Sequence, residues 1–289
     1  MKIKEALMQA SYKISKKWVD TPLLDAQVML QKISGMSKEK LIASYNCDIH
    51  ENILETFNMM VEKRVFGYPV AYITGEKEFF GRSFSVNENT LIPRRDTEIL
   101  VEKVLEESEK IIKETDSLPI KILDLCTGSG CIAITLKSEL REKANVEASD
   151  ISAETENIFH KNCEKILGKK LPFFKSDLFN SITNRYHIIV SNPPYLKNIY
   201  VDEMISNNWP EPEISLRGGN DGLDFIRRII ESSGKYLEKD GLLCMEADPD
   251  QMDIIQDLLL KNDFKYISIK KDMAQRERVI EGYYPGNFT

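Results

Sequence analysis

The chain has 289 residues, of which 42% are hydrophobic and 29% charged, and carries a formal net charge of −7. That length gives room for about two domains and a sizeable core. The acidic balance argues against a broad, sequence-independent grip on nucleic acid, which needs a basic face, although it leaves room for a local basic patch.

The opening stretch MKIKEALMQASYKISKKW is amphipathic, with charges spread through it, and no run of about 18 apolar residues occurs anywhere. Neither a secretory leader nor a membrane span is expected, and a cytoplasmic location is. Residues 1 to about 66 read as entirely helical. Ile3, Ala6, Leu7 and Ala10 recur at helical spacing, and Thr21-Pro22 opens a second helix through Leu30, stopped near Gly35. Ser37 begins a third helix. Glu51 to Val65 makes a fourth, with Leu54, Phe57, Met60 and Val61 on one side; Met59 and Met60 read as core filler. From Gly67 to Ile92 aromatic and β-branched residues punctuated by glycine predict a β-hairpin or short strands bridging two domains.

From residue 96 the pattern alternates. Helices are predicted over 96–112, 131–140 and 153–167, between strands at 120–125, 146–149, 173–174 and 188–190. A long loop follows. Then come a helix at 221–238, a strand at 242–246, a helix at 251–261 and closing strands at 266–269 and 278–284. Alternation of this kind means an α/β fold, a parallel sheet with helices on both faces. The five cysteines (Cys47, Cys126, Cys131, Cys163, Cys244) are scattered without a CxxC pair, and His50, His160 and His187 lie far apart. Neither a disulfide framework nor a metal site is expected.

The first strand runs into Asp124-Leu125-Cys126-Thr127-Gly128-Ser129-Gly130 and then a helix. Glycines there let the backbone approach a ligand that a Cβ would obstruct. Ligands on open α/β sheets sit at such carboxyl ends. Asp150 ends the next strand, 20 residues past Gly130, where a carboxylate can hold ribose hydroxyls. A dinucleotide site pairs a glycine loop with an acid in the same way. Here the third glycine of GxGxxG is missing and a helix precedes the first strand, which suits an adenosyl cofactor without pyrophosphate better. Asp177, in the turn Lys175–Phe179, ends the third strand; it can approach the same adenosine or serve only as a turn cap.

The strand His187–Val190 ends abruptly in Ser191-Asn192-Pro193-Pro194-Tyr195. Two prolines in a row cannot continue a ladder. The Asn192 side-chain oxygen and the Pro193 carbonyl are two acceptors in fixed relation, able to take both hydrogens of an NH2 group. Tyr195 offers a flat face to a planar group. In an amide or aromatic amine the nitrogen lone pair is delocalised. Hydrogen bonds that favour a more tetrahedral nitrogen are therefore stronger in the transition state than in the ground state. The sulfonium of S-adenosylmethionine needs positioning more than activation, so neither a His nor a Cys nucleophile is required.

In this order, Asp124 to Gly130, Asp150, Asp177 and Asn192-Pro193-Pro194-Tyr195, the chain resembles a class I (Rossmann-like) S-adenosylmethionine-dependent methyltransferase. More specifically it resembles the PrmC/HemK family of release factor protein-(glutamine-N5) methyltransferases. Further motifs carry this: Arg64 with Gly67-Tyr68-Pro69-Val70-Ala71-Tyr72-Ile73-Thr74-Gly75, then Leu91-Ile92-Pro93-Arg94-Arg95-Asp96-Thr97-Glu98, then Glu211-Pro212 through Gly218-Gly219-Asn220-Asp221-Gly222-Leu223. The resemblance implies a seven-stranded, mostly parallel sheet in residues 93–289. It also implies a β-hairpin linker over 69–92 and a small all-helical substrate-recognition domain over 1–68. It implies S-adenosyl-L-methionine as cofactor and S-adenosyl-L-homocysteine as product, contacted by Cys126, Thr127, Gly128, Ser129, Gly130, Asp150, Asp177, Leu178 and Asn192. Asn192, Pro193, Pro194 and Tyr195 would hold the substrate amide, with Asn192, Pro193 and Tyr195 catalytic. The implied substrate is the glutamine of a Gly-Gly-Gln motif in class 1 peptide-chain release factors, met by a monomer with no stable nucleic-acid partner.

The chain departs from the family pattern at Cys126 (a loop glycine), Arg95 (a proline), Leu178 (an aromatic) and Gln275 (a glycine). Arg94 and Glu98 read either as a hairpin-to-helix junction or as lining for the cofactor mouth. Glu211 and the Gly218-Gly219 turn read as a loop over the site, with Glu211 as a candidate solvated charge; Glu246 reads as structural. Because NPPY is shared with nucleic-acid amino-methyltransferases, an N6-adenine or N2-guanine methyltransferase is the alternative, and it requires a basic groove near Asn192. A cofactor-binding protein without chemistry is a third reading, against which the intact Asn192 and glycine loop argue.

Overall fold

A computed structural model describes residues 1–17, 19–114 and 118–286. Two compact units emerge: Met1–Glu76 with Asn208–Pro210, and the remaining described residues from Lys77 onward.

The first unit is helical, with α1 (Ile3–Ser15), α2 (Pro22–Ser34), α3 (Lys38–Ala43), α4 (Glu51–Val65) and α5 (Val70–Thr74). Pro22 at the first turn starts α2, and Gly35 in the left-handed region (φ 67°) ends it, as the sequence predicts. Ile3, Leu7, Ile14, Met29, Leu30, Phe57 and Val61 form its core. Met60 joins them, whereas Met59 is 62% exposed, so only one of the methionine pair fills the core. The β-branched run Val70–Thr74 is a helical turn and not a strand. Pro69 sits at its N-cap and Gly75 (φ 69°) closes it, and these end signals override β propensity.

The hairpin is accordingly shorter than the predicted 69–92: β1 (Glu76–Phe79) and β2 (Arg82–Ser85) flank Phe80-Gly81. Both turn residues have positive φ (50° and 69°), the two-residue hairpin turn whose twist matches its strands. Next comes α6 (Thr97–Glu114). The alternating elements that follow are β3 (Ile120–Leu125), α7 (Cys131–Leu140), β4 (Ala144–Asp150), α8 (Ala153–Leu167), β5 (Phe173–Lys175) and β6 (Tyr186–Ser191). The predicted long loop contains α9 (Asn198–Ser206). Beyond it lie α10 (Asp224–Ser233), β7 (Leu237–Glu246), α11 (Met252–Lys261), β8 (Lys265–Lys271) and β9 (Glu277–Tyr284). The predicted helix at 221–238 is too long. It ends before Gly234, where a Cβ would come within 2.8 Å of the Tyr284 ring, and β7 begins three residues later.

The seven strands run in the order β5-β4-β3-β6-β7-β9-β8. All neighbours are parallel except β9, which is antiparallel to both β7 and β8. The sheet is apolar on both faces, one against α6, α7 and α8, the other against α10 and α11. Strand order reverses between β3 and β6, which pair with Leu125 beside Ser191. This switch point brings the glycine loop and SNPPY together at the carboxyl edge of the sheet.

Candidate active site

The glycine loop is stitched to both neighbouring strands. The Thr127 amide donates to Ser149 O at 3.0 Å, and the Gly130 amide to Thr127 O at 2.9 Å. On the other side the Ser191 hydroxyl donates to Leu125 O at 2.9 Å. Asp124, wholly buried under the loop, accepts the Thr127 hydroxyl at 2.6 Å and the Ala133 amide at 3.1 Å. Burial outweighs these bonds and pushes its carboxyl up to about 7. The glycines serve different ends. Gly128 (φ 52°) has open space where a Cβ would stand, whereas a Cβ on Gly130 (φ 82°) would meet Phe159 at 2.6 Å. Asn162, fully buried on α8, exchanges hydrogen bonds with the Ser85 backbone and donates to Ser129 O at 2.9 Å, fastening the hairpin to the loop. No sequence motif had singled Asn162 out.

Asp150 accepts the Gly128 amide on Oδ2 (2.9 Å) and the Ser152 amide on Oδ1 (3.0 Å), leaving a lone pair on each oxygen for a ligand hydroxyl. Burial raises its pKa, and these backbone donors oppose that rise. A pocket opens here, lined by Cys126, Gly128, Asp150, Asp177, Leu178, Asn192 and Pro194 of the predicted residues. Thr127, Ser129 and Gly130 do not line it; their contacts shape the loop. Leu91, from the Leu91–Glu98 motif, also lines it, as do Asn89, Ser152, Thr155 and Phe225, which had gone unnoticed. Phe225, at the start of α10, supplies the aromatic wall that Leu178 lacks. Asp177 is held at the rim by Arg228 at 2.7 Å.

A second pocket lies beside the first. Leu91, Asn192 and Ser215 border both, while Arg94, Pro193, Tyr195, Leu196, Met204, Leu216 and Glu246 complete the second. Asn192 therefore stands where the two pockets meet. Its Nδ2 donates to the Thr97 hydroxyl at 3.2 Å, so Oδ1 is turned away from Thr97. The Tyr195 hydroxyl donates to Glu246 Oε1 at 3.1 Å. Burial chiefly, with the Glu246 charge, pushes the tyrosine pKa up and keeps the phenol protonated.

The flanking motifs are structural supports. A Cβ on Gly218 would lie 2.8 Å from Pro194 O, and one on Gly222 would lie 2.2 Å from Tyr195 O, so both glycines press directly on the Asn-Pro-Pro-Tyr backbone. Gln251 donates to Tyr195 O at 3.0 Å and to Asp221 O at 3.2 Å, tying the two together. Glu211 is no solvated charge: its side chain is fully buried, accepting the Ile92 amide at 2.9 Å and pairing with Arg94. Arg94 borders the second pocket. Glu98 instead accepts the Phe80 amide at 2.7 Å and anchors the hairpin.

The PrmC N-terminal domain family matches residues 5–75, and the methyltransferase small domain family matches residues 97–209. A protein of Haemophilus influenzae named release factor glutamine methyltransferase is 33% identical, over 98% of this chain and 99% of its own. The chain belongs to the release factor glutamine methyltransferase family. A bifunctional methyltransferase of Rickettsia conorii is also 33% identical over 96% of the chain, which spans 57% of that longer relative. Among solved structures the catalytic domain of hMettl16, in complex with the MAT2A 3'UTR hairpin 6, aligns with a TM-score of 0.55 at 17% identity. The alignment covers 83% of this chain and 84% of that one, a likeness of fold. Membership of this family favours the amide reading of Asn-Pro-Pro-Tyr over the nucleic-acid alternative. No helix among the described residues is long and apolar enough to cross a membrane.

Proposed function

We propose that this protein transfers a methyl group from S-adenosyl-L-methionine to the side-chain amide nitrogen (N5) of the glutamine in the Gly-Gly-Gln motif of class 1 peptide-chain release factors. The observation that carries the reading is the junction of two pockets at Asn192, with its amide oxygen turned away from Thr97. The first pocket fits an adenosyl cofactor. Asp150 retains acceptor capacity for ribose hydroxyls, Leu178 and Phe225 give apolar walls for a base, and Gly128 leaves room beside the loop. When bound, the cofactor supplies a methyl group made electrophilic by its sulfonium.

The chain's own residues supply position. Asn192 Oδ1 and the Pro193 carbonyl take the two hydrogens of the substrate amide and direct its nitrogen toward the first pocket. Tyr195, fixed by Glu246, bounds the amide plane. As the nitrogen becomes more tetrahedral these acceptors bind it more strongly, which lowers the barrier. The helical residues 1–68 serve in this reading to recognise the release factor, and the enzyme works as a cytoplasmic monomer without stable nucleic-acid contacts. The names of full-length relatives support the substrate assignment. Incubation with tritiated S-adenosylmethionine and a purified release factor should label the factor and spare a Gln→Ala version at Gly-Gly-Gln. Equal label on both, or label only on nucleic acid, would refute the assignment.

A further inference from the structure

We infer that Arg94 is a substrate-binding residue that donates to the carbonyl oxygen of the target glutamine amide and so sets which way round that amide sits; this rests on the function proposed above. Arg94 borders the second pocket together with Asn192, Pro193 and Tyr195. Its side chain is 41% exposed, whereas that of its partner Glu211 is fully buried. Glu211 accepts the Ile92 amide on Oε1 at 2.9 Å and Arg94 Nη2 on Oε2, so one carboxylate grips the chain on both sides of Pro93. The guanidinium is thereby held at the pocket by a buried anchor. Among the described residues only its Nη2 is engaged.

A primary amide presents two N–H donors and one carbonyl acceptor, and a pocket that encloses it must answer both. In the proposed function Asn192 Oδ1 and the Pro193 carbonyl take the two hydrogens. The carbonyl oxygen then needs a donor, because a polar group buried without a partner loses its hydration for nothing. The other side-chain donors at the pocket are committed elsewhere. The Tyr195 hydroxyl donates to Glu246 at 3.1 Å, the Ser215 hydroxyl to Pro212 O at 2.7 Å, and Asn192 Nδ2 faces Thr97 at 3.2 Å. Arg94 keeps N–H groups on Nε and Nη1, in a planar fork that suits an sp2 oxygen. Two acceptors at one end and a donor at the other admit the amide in one orientation. A carboxylate in its place would satisfy Arg94 but meet two acceptors with no hydrogen to give them. The contact differs in kind from that of Asn192. As the nitrogen lone pair turns toward the methyl group it stops delocalising onto the oxygen, which loses negative charge. The bond from Arg94 is therefore strongest in the ground state, and it adds to binding rather than to rate.

The test is a mutant cycle across the complex, using the full chain, saturating S-adenosylhomocysteine and two purified release factors, one unaltered and one with Gln→Ala at Gly-Gly-Gln. Arg94→Met is similar in length and carries no donor. By calorimetry it should weaken binding of the unaltered factor about tenfold or more, the scale of a bond from a charged donor, and leave the Gln→Ala factor within about twofold. With tritiated S-adenosylmethionine, KM for the unaltered factor should rise in step while kcat falls by no more than about threefold. Because this change strips a buried carboxylate of its partner, Arg94→Met combined with Glu211→Gln serves as the second variant, and the same pattern is expected. Four results would each overturn the inference: unaltered affinity for the unaltered factor, an equal loss with both factors, a loss in kcat without one in affinity, or failure of both variants to bind S-adenosylhomocysteine, which would assign Arg94 to folding. An unaltered chain that leaves the release factor unlabelled would instead refute the proposed function.

Discussion

Gln275→Gly is expected to stabilise the protein. Gln275 closes the turn between β8 and β9 in the left-handed region, with φ 63°. Its amide donates to Asp272 O at 2.9 Å and the Asp272 amide to Arg276 O at 2.8 Å, a three-residue hairpin loop with the left-handed residue last. A side chain in that conformation costs about 1–2 kcal/mol against glycine. Glycine returns about 0.5–1 kcal/mol of this through the greater freedom of the unfolded chain. The side chain of Gln275 is exposed, so little packing is lost. The net gain is about 0.5–1 kcal/mol, or roughly 1–3 °C in melting temperature for a domain of this size. Differential scanning calorimetry on the variant reads this directly. Ala274→Gly is the control, since Ala274 is not among the positive-φ residues and should only lose stability. The reasoning fails if Gln275→Gly melts no higher than the starting chain, or if Ala274→Gly gains as much.

Asn192→Ala should lower methyl transfer by about 10²–10³-fold or more, the usual scale for a lost transition-state contact, while S-adenosylhomocysteine binding remains measurable by calorimetry. Near-normal turnover would remove Asn192 from the chemistry. Asp124, raised to about 7 by burial, binds its proton more tightly folded than unfolded. It therefore contributes stability at acid pH that is lost as pH climbs through 7. Asp124→Asn should gain on the starting chain between pH 4 and pH 7.5, by on the order of a few kcal/mol; a pH-independent difference in denaturation midpoints would contradict this. Gly130→Ala should cost about 2–4 kcal/mol, because the new Cβ meets Phe159 at 2.6 Å in a left-handed position. An unchanged melting temperature would show that the ring can move aside.

The fold was largely legible in the sequence because alternating helical and strand periodicities leave few arrangements, and the handed crossover leaves fewer. The carboxyl edge was legible too, since a glycine loop, an acid and a proline-ended strand can meet only at the switch point. Val70–Thr74 misled because local β propensity lost to a proline at one end and a glycine at the other. The supports of the site were less visible. Asn162, Thr97 and Glu246 act through partners distant in sequence, such as the 95 residues separating Asn192 from Thr97, and no local pattern marks such a pair. Glu211 was mistaken for a surface charge for the same reason: its partners Ile92 and Arg94 lie more than a hundred residues away.

Three of the departures from the family pattern share one physical character. Cys126 (φ 60°), Leu178 (φ 50°) and Gln275 (φ 63°) all occupy the left-handed region, where each side chain costs backbone energy that glycine would not. At Cys126 and Leu178 the strain lies beside the first pocket, at the ends of β3 and β5. Neither strain serves to expose a reactive group. Burial pushes the Cys126 thiol well up, so it is no nucleophile, and Leu178 is 7% exposed. What the left-handed residues provide is direction: the chain leaves the sheet sharply and the pocket opens between the two turns. The core residues on both faces of the sheet meet that cost. The aromatic face that Leu178 does not give comes from Phe225 on α10 instead. The departures thus alter how much the backbone around the site costs to hold, while the groups that face the two pockets at Asn192 stay in place.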